Sequence, residues 1–113
     1  VIRLKHEYKG KEGYLMGVAE DVLEYLKEYH NSETKAIKSR GLCELFNLQN
    51  RQVRHLVSGL RQKGSPICSS NSGYWYSGDR EDIDSTINRL SDQVRNMSLT
   101  IRGLRKAKGG YHK

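Results

Sequence analysis

Asn50, Arg51, Gln52, Arg54, His55, Ser58, Arg61 and Gln62 lie on one side of a short segment. Val53, Leu56, Val57 and Leu60 fall at i, i+3, i+4 and i+7, so they form the opposite, apolar stripe of one amphipathic helix. The polar face carries the groups that hydrogen-bond base edges and phosphates: guanidinium forks, carboxamides and a hydroxyl. A helix of this kind fits the DNA major groove. Base edges are expected to be read by Arg51, Gln52 and His55, with Asn50 and Ser58 at the margins.

The flanking residues say what positions this helix. Ser39 suits a helix start, and Leu42, Leu45 and Phe46 face one way in a shorter helix before it. Asn47 stands where that helix must stop, and Asn tolerates left-handed backbone. Leu48 is the lone apolar residue of the turn, placed to plug the space between the helices. Turn length favours Gln49 as the cap of the second helix, although Asn50 is the better capping side chain. Lys63-Gly64 supplies a cation for the helix dipole and a glycine to leave it. Pro66 suits an edge strand, and residues 67–70 and 74–76 flank the turn cluster Asn71-Ser72-Gly73, a hairpin signal.

From Ala36 to Tyr76 the chain reads AIKSRGLCELFNLQNRQVRHLVSGLRQKGSPICSSNSGYWY. This stretch resembles the winged helix-turn-helix of the biotin-repressor type, and more closely the small regulators encoded in bacteria and their prophages. The resemblance implies an earlier helix, a short strand near Ala36–Lys38, and a wing that touches DNA. Phosphate contacts would then fall to Lys38, Ser39, Arg40 and Arg54, and to Ser70 and Asn71 in the wing. The tip Ser69-Ser70-Asn71-Ser72 is uncharged, unlike many such wings, so its contacts would come from hydroxyls and amides.

Charge follows the same division. The chain of 113 residues carries a net charge of +7. Thr34–Lys63 holds seven Lys/Arg against one acid, and Arg95–Lys113 holds six against none. Met16–Glu33 holds five acids and one Lys, and Asp79–Asp92 five acids and two Arg. Basic excess therefore coincides with the polar helix and with the tail, the pattern expected of a nucleic-acid binder.

Glu20–His30 reads as a preceding helix, with Val22, Leu23, Leu26 and Tyr29 as its apolar stripe. Residues 1–17 read either as a hairpin or as a basic arm. After the wing, Asp79-Arg80-Glu81-Asp82 opens another helix. Ile83, Ile87, Leu90, Val94, Met97, Ile101 and Leu104 then recur with gaps alternating between four and three residues, a heptad seam. Ile87, Val94 and Ile101 are β-branched, the others all but one unbranched at Cβ, the division preferred by parallel two-stranded coiled coils. A helix from Glu81 to Lys106 would measure roughly 39 Å, longer than a domain of about 25–30 Å, so part of the seam must overhang. Self-association is expected through it; packing on the chain's own domain is the competing expectation.

Tyr74-Trp75-Tyr76 could stack on unpaired bases. Strand alternation favours packing on the core instead. Gly41 and Gly59 sit inside helices and are expected to allow close helix approach, with admission of the DNA backbone as the alternative at Gly59. Cys43 and Cys68, and His6, His30, His55 and His112, show no disulfide framework or metal spacing. No catalytic constellation, cofactor loop, membrane span or secretory signal is visible.

The fold expected is mainly α with a small β-hairpin (α+β): arm or hairpin over 1–17, winged domain over 18–78, amphipathic helix over 79–107 and basic tail over 108–113. The function expected is sequence-specific binding of double-stranded DNA in a bacterial or phage-infected cytoplasm, as a homodimer, without cofactor, metal or catalysis. The alternative is a phage-encoded adaptor or inhibitor that uses the winged domain or the long helix to bind another protein.

Overall fold

A computed structural model describes residues 10–110, with side chains from residue 17 onward. The chain is mainly helical, with one two-stranded antiparallel hairpin and a long C-terminal helix. Helix α1 spans Gly10–Tyr29 and is followed by a 3-10 turn at Glu33–Lys35. Helix α2 spans Ser39–Phe46 and α3 Asn50–Gln62; strands β1 (Ile67–Ser70) and β2 (Gly73–Tyr76) form the hairpin; α4 runs over Arg80–Gly110.

The core lies where α1, α2, α3 and the hairpin meet. Val18, Val22, Leu26, Leu42, Val53 and Val57 are its fully buried side chains. Tyr25 packs edge-on against Phe46, with ring centroids 5.7 Å apart. Leu48 is buried between α2 and α3, as its place in the turn predicts. Asn47 caps α2 in the left-handed region at φ 54°.

The expected extent of the first helix needs correction, while its apolar face stands. Both expectations for residues 1–17, a hairpin or a basic arm, fail over 10–17, which are helical, and residues 1–9 lie outside the described residues. The boundary at 17/18 therefore falls inside α1. Gly10, Gly13 and Gly17 suggest a break, but Lys11, Glu12, Leu15 and Met16 between them are good helix formers. The buried stripe takes in Val18, and Tyr25 packs beside it, while Tyr29 is 55% exposed. Tyr29 is on the correct face but past the edge of the core, where its ring packs tilted against Tyr25, centroids 5.1 Å apart.

Hairpin register pairs Ile67 with Tyr76, Cys68 with Trp75 and Ser69 with Tyr74. Alternation sends Ile67, Tyr74 and Tyr76 toward the core and leaves Cys68 and Trp75 on the other face. Both of the latter are nonetheless buried, because α4 covers them. The aromatic triplet is thus packing, with Tyr74 and Tyr76 half-buried on the core. The strand expected near Ala36–Lys38 is a single bridge, in which Ile37 and Tyr74 exchange backbone bonds of 2.9 and 2.8 Å.

Gly73 makes that crossing possible. Its φ is 121°, and a Cβ there would stand 2.3 Å from the Ile37 carbonyl oxygen. Gly41 lies against the Ile37 side chain, whereas Gly59 meets nothing within 4 Å. The close neighbour expected at Gly59 is therefore not part of this chain's own packing.

Helix α4 begins one residue later than the expected segment and continues through Gly110, so residues 108–110 are helix rather than tail. Residues 111–113 lie outside the described residues. Asp79 accepts the Glu81 N–H at 3.2 Å and starts the helix. Only its first turns dock. Thr86 is buried, its hydroxyl accepting from Ser69 N at 3.2 Å and donating to Asp82 O at 3.0 Å. The expected overhang follows: Ile87, Leu90, Val94, Met97, Ile101 and Leu104 are all exposed. Packing of the whole seam on the chain's own domain is ruled out in this structure.

Candidate nucleic-acid interface

The α2–turn–α3 unit presents one face of α3 to solvent. Arg51, Arg54, His55, Ser58 and Gln62 are exposed on it. The opposite stripe, Val53, Leu56, Val57 and Leu60, is buried. Spacing dictates this division, and the structure keeps it.

Three polar residues expected on that face are engaged in holding the unit together. Gln52 is half-buried, and its Oε1 accepts the backbone N–H of Gln49 at 2.9 Å, part of a capping box across the helix start. Asn50 Oδ1 accepts from the Ser39 hydroxyl at 2.9 Å and from the Cys43 thiol at 3.3 Å, which ties the start of α3 to α2. Arg61 is half-buried, donating from Nε to Ile67 O at 2.7 Å and from a terminal nitrogen to the Ser69 hydroxyl at 3.0 Å. Its guanidinium also lies 6.0 Å from the Tyr74 ring centroid. Burial, opposed by Tyr74 and Cys68 and aided by Arg89, lowers its proton affinity.

The hairpin joins this face through Lys38. Lys38 precedes α2, and its Nζ donates to the Asn71 carbonyl at the hairpin tip. The Ser70 hydroxyl accepts the Ser72 N–H at 3.0 Å, which leaves its own proton to donate. Gln62 donates to the Ser58 hydroxyl at 3.1 Å. Arg40 makes an exposed ion pair with Glu44 at 3.3 Å.

Between α3, the hairpin and α4 lies a groove of about 690 Å³. It gathers Lys38, Ser39, Arg54, Ser58, Ser70 and Asn71 from the expected site. Arg40, Asn50, Arg51, Gln52 and His55 stand outside it. Arg61 and Tyr74, with Arg89, Leu90 and Gln93 of α4, are also in its walls, and no acid lines it. Sequence spacing carries no signal for Arg89 and Gln93, because nothing local fixes how α4 crosses the hairpin. Lys38, Arg54, Arg61 and Arg89 thus face one opening without a carboxylate to neutralise them. That field favours an anion.

Among the described residues no group of three or more His, Cys, Asp or Glu could hold a metal, and no helix is long and apolar enough to cross a membrane. Cys43 and Cys68 are unpaired thiols. No known family model, curated protein or solved structure matches the chain.

Proposed function

We propose that the chain is a winged helix-turn-helix protein that binds duplex DNA sequence-specifically, with α3 in the major groove and the hairpin as its wing. One observation carries this reading: the exposed face of α3 joins a groove lined by four cations and no acid. Arg51 and His55, exposed on α3, would meet base edges. Lys38, Arg40, Arg54 and the hairpin tip would hold phosphates. The capping bond of Gln52 and the engaged Asn50 oxygen make these two supports of the reading helix rather than its foremost readers. This is a binding function suited to regulation in a bacterium or its phage.

The test is fluorescence anisotropy on random-sequence duplexes at several salt concentrations, followed by selection of bound sequences. Binding should weaken steeply as salt rises. Arg51→Ala should cost about 1–3 kcal/mol on the selected site and relax base choice. Lys38→Ala should weaken all sequences alike and lower the salt slope by about one. Equal binding by wild type and an Arg51→Ala/Arg54→Ala variant sinks the DNA reading. The exposed seam of α4 would then favour the protein-binding adaptor.

A further inference from the structure

Helix α4 offers an apolar stripe that its own domain leaves bare. Val94 is 66% exposed, Met97 64% and Leu104 66%. Leu90 lines the groove beside Arg89 and Gln93, and from Val94 onward the domain leaves the seam bare. A continuous apolar surface of this length marks association.

We infer that the seam is covered by α4 of a second copy running antiparallel. Charge decides the direction. Residues 80–94 hold four acids and two Arg, whereas residues 95–110 hold five Lys/Arg and no acid. A parallel pair sets the two basic halves side by side. An antiparallel pair lays each basic half on an acidic one.

The residue positions agree. In parallel register the flanking pairs are Thr86 with Ser91, Gln93 with Ser98 and Thr100 with Arg105, none of opposite charge. In antiparallel register Ile87 meets Leu104, Leu90 meets Ile101 and Val94 meets Met97, each layer occurring twice. Asp84 then flanks Arg105 of the second copy, also twice. Branching at the seam bears on strand number, while flanking charges set orientation. The two-stranded preference therefore stands, and the direction reverses.

A cleft of about 310 Å³ lies at the domain end of the seam, with Pro66, Ile67, Ile83, Ile87 and Leu90 in its walls. The antiparallel layers carry Leu104 of the second copy to Ile87, at this cleft. The two-fold axis falls between Val94 and Met97. The docking residues Asp82 and Thr86 of the two copies then stand about 23 residues of helix apart, roughly 35 Å at 1.5 Å each. On the DNA reading, that separation suits half-sites one helical turn, about 34 Å, apart.

Association and orientation are read without DNA, so this inference and the DNA reading fail separately. The full chain should scatter light as a dimer at tens of micromolar. A Val94→Asp/Met97→Asp variant, both on the bare part of the seam, should be monomeric with an unchanged melting transition of the domain. Under mild oxidation a Leu90→Cys/Ile101→Cys variant should form interchain disulfides, and Leu90→Cys alone should form none beyond the wild-type background. Asp84→Arg should weaken the dimer several-fold to about tenfold, and adding Arg105→Asp should restore it. A monomeric wild type overturns the inference. So does ready cross-linking of Leu90→Cys alone, which would place like positions together in a parallel pair.

Discussion

The indole N–H of Trp75 donates to Asp82 Oδ2 at 3.2 Å, and this bond fixes where the long helix leaves the domain. Trp75 is 2% exposed, on the hairpin face that α4 covers. Asp82 lies in the first turn of α4, where a carboxylate also suits the helix dipole. Asp79 thus starts the helix, and Asp82, within its first turn, anchors it to the hairpin.

Asp82→Ala should leave a buried donor unpaired and destabilise the domain by about 1–3 kcal/mol. Asp82→Asn keeps an acceptor oxygen and should cost less. Urea melts followed by Trp75 fluorescence read both. Equal stability of the alanine variant and wild type would mean that packing alone holds α4 in place.

Gln52 and Arg51 are neighbours with opposite expectations. Gln52→Ala removes a capping partner and should cost about 0.5–2 kcal/mol of stability. Arg51 is exposed, so Arg51→Ala should change stability by less than about 0.5 kcal/mol while weakening DNA binding. A melting temperature that falls for Arg51→Ala but not for Gln52→Ala would reverse these roles.

The contrast shows what the sequence could reveal. Asn47, Leu48 and Gln49 announce the turn because each answers a local requirement: left-handed backbone, an apolar plug, a cap. The seam from Ile87 to Leu104 announces its own overhang by length. Arg61 reads as surface from helical spacing, yet a strand from beyond the helix gives it two acceptors. Arg89 enters the groove through the path of α4 across the hairpin. Contacts between distant segments leave no periodic trace, and those are the ones that were illegible.

Two glycines separate backbone need from helix cost. Gly73→Ala meets the Ile37 carbonyl and a φ of 121°, so it should destabilise by more than about 1 kcal/mol. Gly59→Ala meets open space in a helix interior and should stabilise by up to about 1 kcal/mol. Thermal melts check both. If Gly59→Ala also abolishes DNA binding while the fold is stabilised, the DNA backbone approaches the helix there.

Arg61 serves as a strut between α3 and β1. Arg61→Ala leaves the Ile67 carbonyl without this donor and should cost about 1–3 kcal/mol. Arg61→Lys should rescue little, since an ammonium cannot reproduce a planar fork reaching both acceptors. Full rescue by lysine, measured in urea, would show that charge alone matters.

Cys68 gives stability a pH dependence. The thiol is 1% exposed, and burial raises its pKa above the ordinary 9.0, with Thr86 opposing and Asp82 adding to the shift. The unfolded chain therefore loses this proton at lower pH than the folded one. The contribution is whole below about 9 and is lost as pH rises toward the folded value, with a slope of up to about 1.4 kcal/mol per pH unit. The difference between wild type and Cys68→Ala isolates the contribution of Cys68. Urea melts from pH 7 to 10.5 should show wild type losing stability faster than Cys68→Ala above pH 9. Parallel curves would mean that the thiol titrates alike in both states. Ellman's reagent on the native protein should then label Cys68 as readily as the half-buried Cys43, whereas burial predicts that Cys43 reacts first.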